Sequence, residues 1–137
     1  MNTQNISFFD KVLAKLKKPF FLKIFGIKSG YNNFNKRCLV YMKTEPFYRK
    51  LNSHTNVWEI KELVRILNSK GFIVDIIDRE VNNYTPKDIY DLFIGYGSGN
   101  SGKHFYKYAI SLNKAIKILY ATGPEPSLSN KLVKERY

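Results

Sequence analysis

The chain has little of several things that usually announce a function. Its 137 residues include one cysteine, one tryptophan and two histidines. A single thiol excludes an internal disulfide, and with it the stapled scaffold of a small secreted domain. Cys38 lies in the apolar run Cys38-Leu39-Val40-Tyr41-Met42, where a buried, inert thiol is expected. The two histidines have no neighbouring Cys, Asp or Glu at metal-ligand spacing, so neither a metal nor a cofactor is expected. No run of about 18 apolar residues is present to span a bilayer. The first residues lack the apolar centre and small-residue cleavage site of a signal peptide, which points to a cytoplasmic location.

Acidic residues are also scarce, with 11 Asp and Glu against 23 Lys and Arg, for a net charge of +12. The imbalance is uneven. Residues 1–37 hold eight basic residues and one acid, whereas residues 38–137 hold fifteen and ten. Residues 1–37 therefore read as a basic leader and linker, and residues 38–137 as one globular domain. In the leader, Ser7 to Asp10 has capping-box spacing. Phe9, Leu13 and Leu16 recur on one helical face, Lys11, Lys15 and Lys18 fall on the other, and Pro19 ends or kinks the helix. This is the layout of an interfacial helix on an anionic membrane surface at the inner face, or of a helix packed on the domain. Residues 26–37, rich in Gly, Ser and Asn, read as a linker.

From Cys38 the pattern becomes regular. Residues 38–42, 72–77, 92–96 and 116–121 read as strands. Residues 56–70 read as a helix with Ile60, Leu63, Val64 and Leu67 on its inner face and Gly71 at its end. A second helix over 101–115 turns Phe105, Tyr108, Ala109 and Leu112 inward, and Pro126 to Arg136 can start another. Residues 79–91 are too few for a crossover helix and hold at most one turn near Pro86 to Tyr90. Alternating strands and helices predict an α/β fold, a Rossmann-like open and mainly parallel sheet of about four strands.

The stretch "GYGSGNSGKH", residues 95–104, approaches a phosphate loop: Gly97 to Lys103 fits Gly, four residues, Gly, Lys. The next position holds His104 where a magnesium-binding hydroxyl belongs, and the following strand supplies no acid. A dinucleotide fingerprint also fails, because the glycines follow the third strand and not the first. Two readings remain. Either Gly97, Ser98, Gly99, Asn100 and Ser101 let a ligand approach the backbone at a helix start, or they only permit a tight turn.

His54 follows the first predicted strand and His104 the third. With strand order 2-1-3-4 these strands are neighbours, and the crevice between their carboxyl ends is where such sheets bind ligands. Thr55, Asn56 and Trp58 open the helix beside His54. Trp58 points away from the apolar stripe, either packing under the 43–55 loop or offering a stacking surface. No acid pair or nucleophile–base constellation stands out, so no catalytic residue is assigned.

The order "VYMKTEPF", "HTNVWEIKELVRILNSKGFIVDIID", "DLFIGYGSGNSGKH" and "ILYATG" resembles the N-terminal half of bacterial GT-B glycosyltransferases, group 1-like, over residues 38–137. The resemblance implies an acceptor-side domain, with His54 to Asn56 and Gly97 to His104 facing a cleft shared with a second, donor-binding domain. It implies a glycan or lipid-linked acceptor, and a nucleotide sugar held by that second domain or subunit. The sequence given contains no counterpart of the donor half, so this chain alone is expected to be inactive. A glycan-binding or regulatory module without catalysis is the alternative. A basic nucleic-acid binder ranks below both, because the leader's aromatics form a stripe and do not interleave with its lysines.

Overall fold

A computed structural model describes residues 22–30, 33–48, 55–96, 100–121 and 134–135. The predicted leader helix, with Phe9, Lys11, Leu13, Lys15, Leu16 and Lys18, lies outside them, as does most of the helix expected after Pro126. The elements run β1 (Lys23–Ile27), β2 (Lys36–Met42), a 3-10 turn (Glu45–Phe47), α1 (Thr55–Ser69), β3 (Phe72–Asp78), β4 (Leu92–Tyr96), α2 (Asn100–Ser111) and β5 (Ile116–Tyr120). The fold is α/β, with a sheet of order β1-β3-β2-β4-β5. Neighbours pair in parallel except β1, which runs antiparallel to β3. The four predicted strands stand in the order 2-1-3-4, an arrangement consistent with a Rossmann-like fold.

The sheet is apolar on both faces because each face carries a helix. On one, Cys38, Val40, Val74, Ile76 and Ile94 meet Ile60, Val64 and Leu67 of α1. On the other, Leu39, Tyr41, Ile77 and Phe93 meet Phe105, Tyr108 and Leu112 of α2. Cys38 is fully buried, and burial followed by the nearby charge of Asp75 pushes its thiol well above the ordinary range. Gly71 closes α1, donating its N–H to the Asn68 carbonyl at 3.0 Å. The side chain of Asn68, fully buried, donates to the carbonyls of Ile27 and Phe72 and accepts from Ser29, tying β1 to the α1–β3 turn.

The fifth strand is the main departure from the sequence reading. β1 occupies part of the segment read as leader and linker, and its register with β3 shifts between Ile24 and Ile27. Gly26 sits at that bulge with φ +71°, a left-handed conformation natural to glycine, and donates its N–H to Asp75 Oδ1 at 2.6 Å. The bulge lets Ile24 and Ile27, three residues apart, pack against the same core cluster.

Residues 79–91 cross from β3 to β4 without a helix, and hydroxyl groups replace helix packing there. Tyr41 donates to the Arg79 carbonyl at 2.6 Å, and Tyr108 to the Val81 carbonyl at 2.7 Å. Tyr90 reaches back to the buried Asp75 at 2.8 Å, and Arg37 Nε approaches the same carboxylate oxygen at 2.9 Å.

Candidate functional site

The two helices leave adjacent strands on opposite faces: α1 follows β2, and α2 follows β4. The carboxyl ends of β2 and β4 therefore flank the point where the chain changes direction, which is where open α/β sheets place ligands. The turns after β2 and β3 are held by one carboxylate. Asp78, at the end of β3, accepts from the backbone N–H of Thr44 at 2.8 Å, from Thr44 Oγ1 at 2.9 Å and from the N–H of Glu80 at 2.9 Å. Thr44 and Asp78 are both buried. With its acceptors occupied, Asp78 fixes the backbone on either side of Lys43 and Arg79. The Arg79 N–H adds a bond to the Met42 carbonyl at 3.1 Å.

Next to these turns, on the α1 face, lies a pocket of about 510 Å³. Its floor is Ile94 and Ile118 of β4 and β5, and α1 contributes Ile60, Leu63 and Ile66 as a wall. Met42, Tyr96 and Tyr120 stand at the strand ends, and Trp58 at the helix start. The pocket exists because nothing else among the described residues covers this side of β5. Ile118 and Tyr120, aligned with Ile94 and Tyr96, remain 45% and 39% exposed. Polar groups are few: Lys43, Arg79, Glu59 and Glu62, the last engaged by Arg65 Nε at 2.8 Å. The Arg65 bond holds the Glu62 carboxyl below its ordinary range.

Compared with known proteins, the chain matches no family model, no curated protein and no solved structure. Trp58 is 67% exposed and lines the pocket, so its aromatic surface is open to a ligand. His104, half-buried near the start of α2, does not line it. His54, Gly97, Ser98 and Gly99 lie outside the described residues. Thr55, Asn56, Asn100 and Ser101 are described by helical backbone only, so the expected meeting of both loops in one cleft stands on strand order alone. Among the described residues no group of three His, Cys, Asp or Glu could hold a metal ion. No described helix is long and apolar enough to cross a membrane.

Met42, Lys43, Arg79, Tyr96 and Tyr120 were not singled out from the sequence. The signal was there, because each lies within two residues of the carboxyl end of a predicted strand, the position that the crevice rule marks. Gly95, by contrast, has a mechanical role. A Cβ placed on it would lie 2.5 Å from Phe105 Cδ2 and 3.2 Å from Phe93 Cζ. Those two rings stack with centroids 5.1 Å apart, which anchors α2 on β4. Gly95→Ala is expected to cost about 1–3 kcal/mol through overpacking, read as a lower midpoint in urea. An unchanged midpoint would mean that the Phe105 ring moves aside freely.

Proposed function

We propose that this chain is the acceptor-side half of a GT-B-type glycosyltransferase, positioning a glycan or lipid-linked acceptor for a sugar supplied by a nucleotide-sugar-binding partner domain or subunit. The observation that carries this reading is the pocket at the carboxyl ends of β2 and β4, with Trp58, Tyr96 and Tyr120 at its edge. Aromatic faces suit the apolar faces of sugar rings or an isoprenoid chain, and the α/β sheet supplies the rigid frame. Residues 97–104 enter the reading through the resemblance alone, as backbone donors to acceptor hydroxyls.

The test is saturation-transfer NMR with a panel of soluble mono- and oligosaccharides, run beside a nucleotide sugar and a short RNA. The expected result is saturation of sugar protons, with affinity about tenfold weaker in Trp58→Ala, the loss of one aromatic contact. Nucleotide-sugar hydrolysis by the isolated chain would contradict the reading. So would RNA binding at physiological salt with no saccharide bound.

A further inference from the structure

The pocket has more apolar surface than a glycan alone can use. A sugar lying along Ile60, Leu63, Ile94 and Ile118 would turn hydroxyls toward groups that cannot bond them, at a desolvation cost. At one end, however, the lining includes two basic residues, Lys43 and Arg79. Met42 and Asp78 are register partners in β2 and β3, so Lys43 and Arg79, one residue further on each strand, leave the sheet side by side. Both line the pocket. Neither makes an ion pair among the described residues: Asp78 is engaged by Thr44 and Glu80, and Glu62 by Arg65. Glu59 is the remaining carboxylate in the lining, and it comes from α1.

We propose that the pocket takes a phosphate-bearing amphiphile. A single acyl or isoprenoid chain lies in the groove over Ile94 and Ile118, and its phosphate rests on Lys43 and Arg79. The charge complementarity is with a compact anion, which an ammonium and a guanidinium on adjacent strand ends can bracket. The volume suits one chain and not a bilayer surface. This inference rests on the acceptor reading and narrows it, from any glycan to a lipid-linked phosphate.

Trp58 is the only tryptophan in the chain and lines this pocket, so its emission reports occupancy directly. The full chain is titrated with decyl phosphate below its micelle concentration, and in parallel with decanol, octyl phosphate and inorganic phosphate. Decyl phosphate is expected to blue-shift the emission with saturation. It should bind about tenfold more tightly than octyl phosphate, the effect of two further buried methylenes. Inorganic phosphate alone should leave the emission unchanged. The double variant Lys43→Gln/Arg79→Gln should lose at least tenfold in decyl phosphate affinity and keep its decanol affinity. Ile118→Asp, at a half-exposed position in the pocket lining, should weaken both.

Equal affinity for decanol and decyl phosphate overturns the proposal, as does an unaltered double variant. A response to anionic vesicles without one to monomeric decyl phosphate assigns the cations to a membrane surface and also overturns it. If soluble saccharides bind while decyl phosphate does not, the amphiphile fails and the glycosyltransferase reading stands. Decyl phosphate binding with no saccharide bound reverses that outcome.

Discussion

Asp75→Ala is expected to destabilise the protein by about 3 kcal/mol, lowering its melting temperature by roughly 10 °C. Asp75 is fully buried in the middle of β3 and accepts from three groups: the Gly26 N–H, Arg37 Nε and the Tyr90 hydroxyl. Truncation leaves all three donors without their acceptor. The Tyr90 hydroxyl is buried, so its loss carries a full desolvation cost. Arg37 is 30% exposed and also meets Asp88 at 3.0 Å, which keeps the figure at the low end for a broken buried pair. Burial alone would lower the guanidinium's affinity for its proton. The Asp75 hydrogen bond, with the charges of Asp75 and Asp88, more than offsets that, so Arg37 stays charged in every state considered. A combined Arg37→Met/Asp75→Leu/Tyr90→Phe variant should recover part of the loss, because an apolar set of similar volume needs no partners. The check is urea unfolding of each variant. A midpoint for Asp75→Ala within about 1 kcal/mol of the parent would show that water replaces the carboxylate without cost.

Asp75 also marks where sequence reading falls short. Strands 38–42, 72–77 and 92–96 were legible because each is a short β-branched or aromatic run closed by turn residues, whereas their order 2-1-3-4 entered the sequence reading as a condition that the sheet meets. The stripe of Ile60, Val64 and Leu67 fixed the inner face of α1, and left Trp58 exposed as its helical angle implied. Strand β1 was hidden for a physical reason. The bulge at Gly26 breaks the period-two alternation, so Ile24 and Ile27 show a spacing of three at the point where the leader passes into a segment that reads as a Gly-, Ser- and Asn-rich linker. An acid within "FIVDIID" is a visible anomaly, but only the fold reveals that Gly26, Arg37 and Tyr90 converge on it from distant positions. The pocket was half legible. The rule of carboxyl ends marked the strand ends where Met42, Tyr96 and Tyr120 stand, while the floor on β4 and β5 and the uncovered side of β5 are properties of packing that no single segment encodes. The histidines drew attention because they are rare, and rarity says nothing of position.

The second large effect is expected at alkaline pH, where stability should fall steeply above about pH 10. Three groups lead it, and the Tyr84 and Tyr108 phenols, also raised chiefly by burial, act in the same direction. Burial raises the Cys38 thiol, with the Asp75 charge adding to the effect. Burial raises the Tyr41 phenol, reinforced by Tyr108 and Asp78 and opposed by Arg79. Burial raises Tyr90 furthest, followed by its bonds with Tyr84 and Asp75 and by the Asp75 charge. Each group holds its proton more tightly folded than unfolded. Its contribution is therefore complete below the unfolded value, about 8.5 for the thiol and about 10 for the phenols, and is lost as pH rises toward the folded value. One such group changes stability by about 1.4 kcal/mol per pH unit, so the thiol starts the decline and all three together give about 4 kcal/mol per unit above pH 10. Lysine neutralisation acts in the opposite sense over the same range, because it relieves repulsion in a chain of net charge +12. The phenol share is therefore read by comparison. Tyr90→Phe should flatten the slope above about pH 10, and Cys38→Ala should remove its onset between about pH 8.5 and 10. Urea midpoints measured from pH 7 to about 11, with phenolate absorbance followed in parallel, decide the matter. Phenolate signal from Tyr41 and Tyr90 should appear only as the chain unfolds. A midpoint that stays constant across that range, or full phenolate absorbance in the folded protein, would overturn the assignment of these residues to a dry interior.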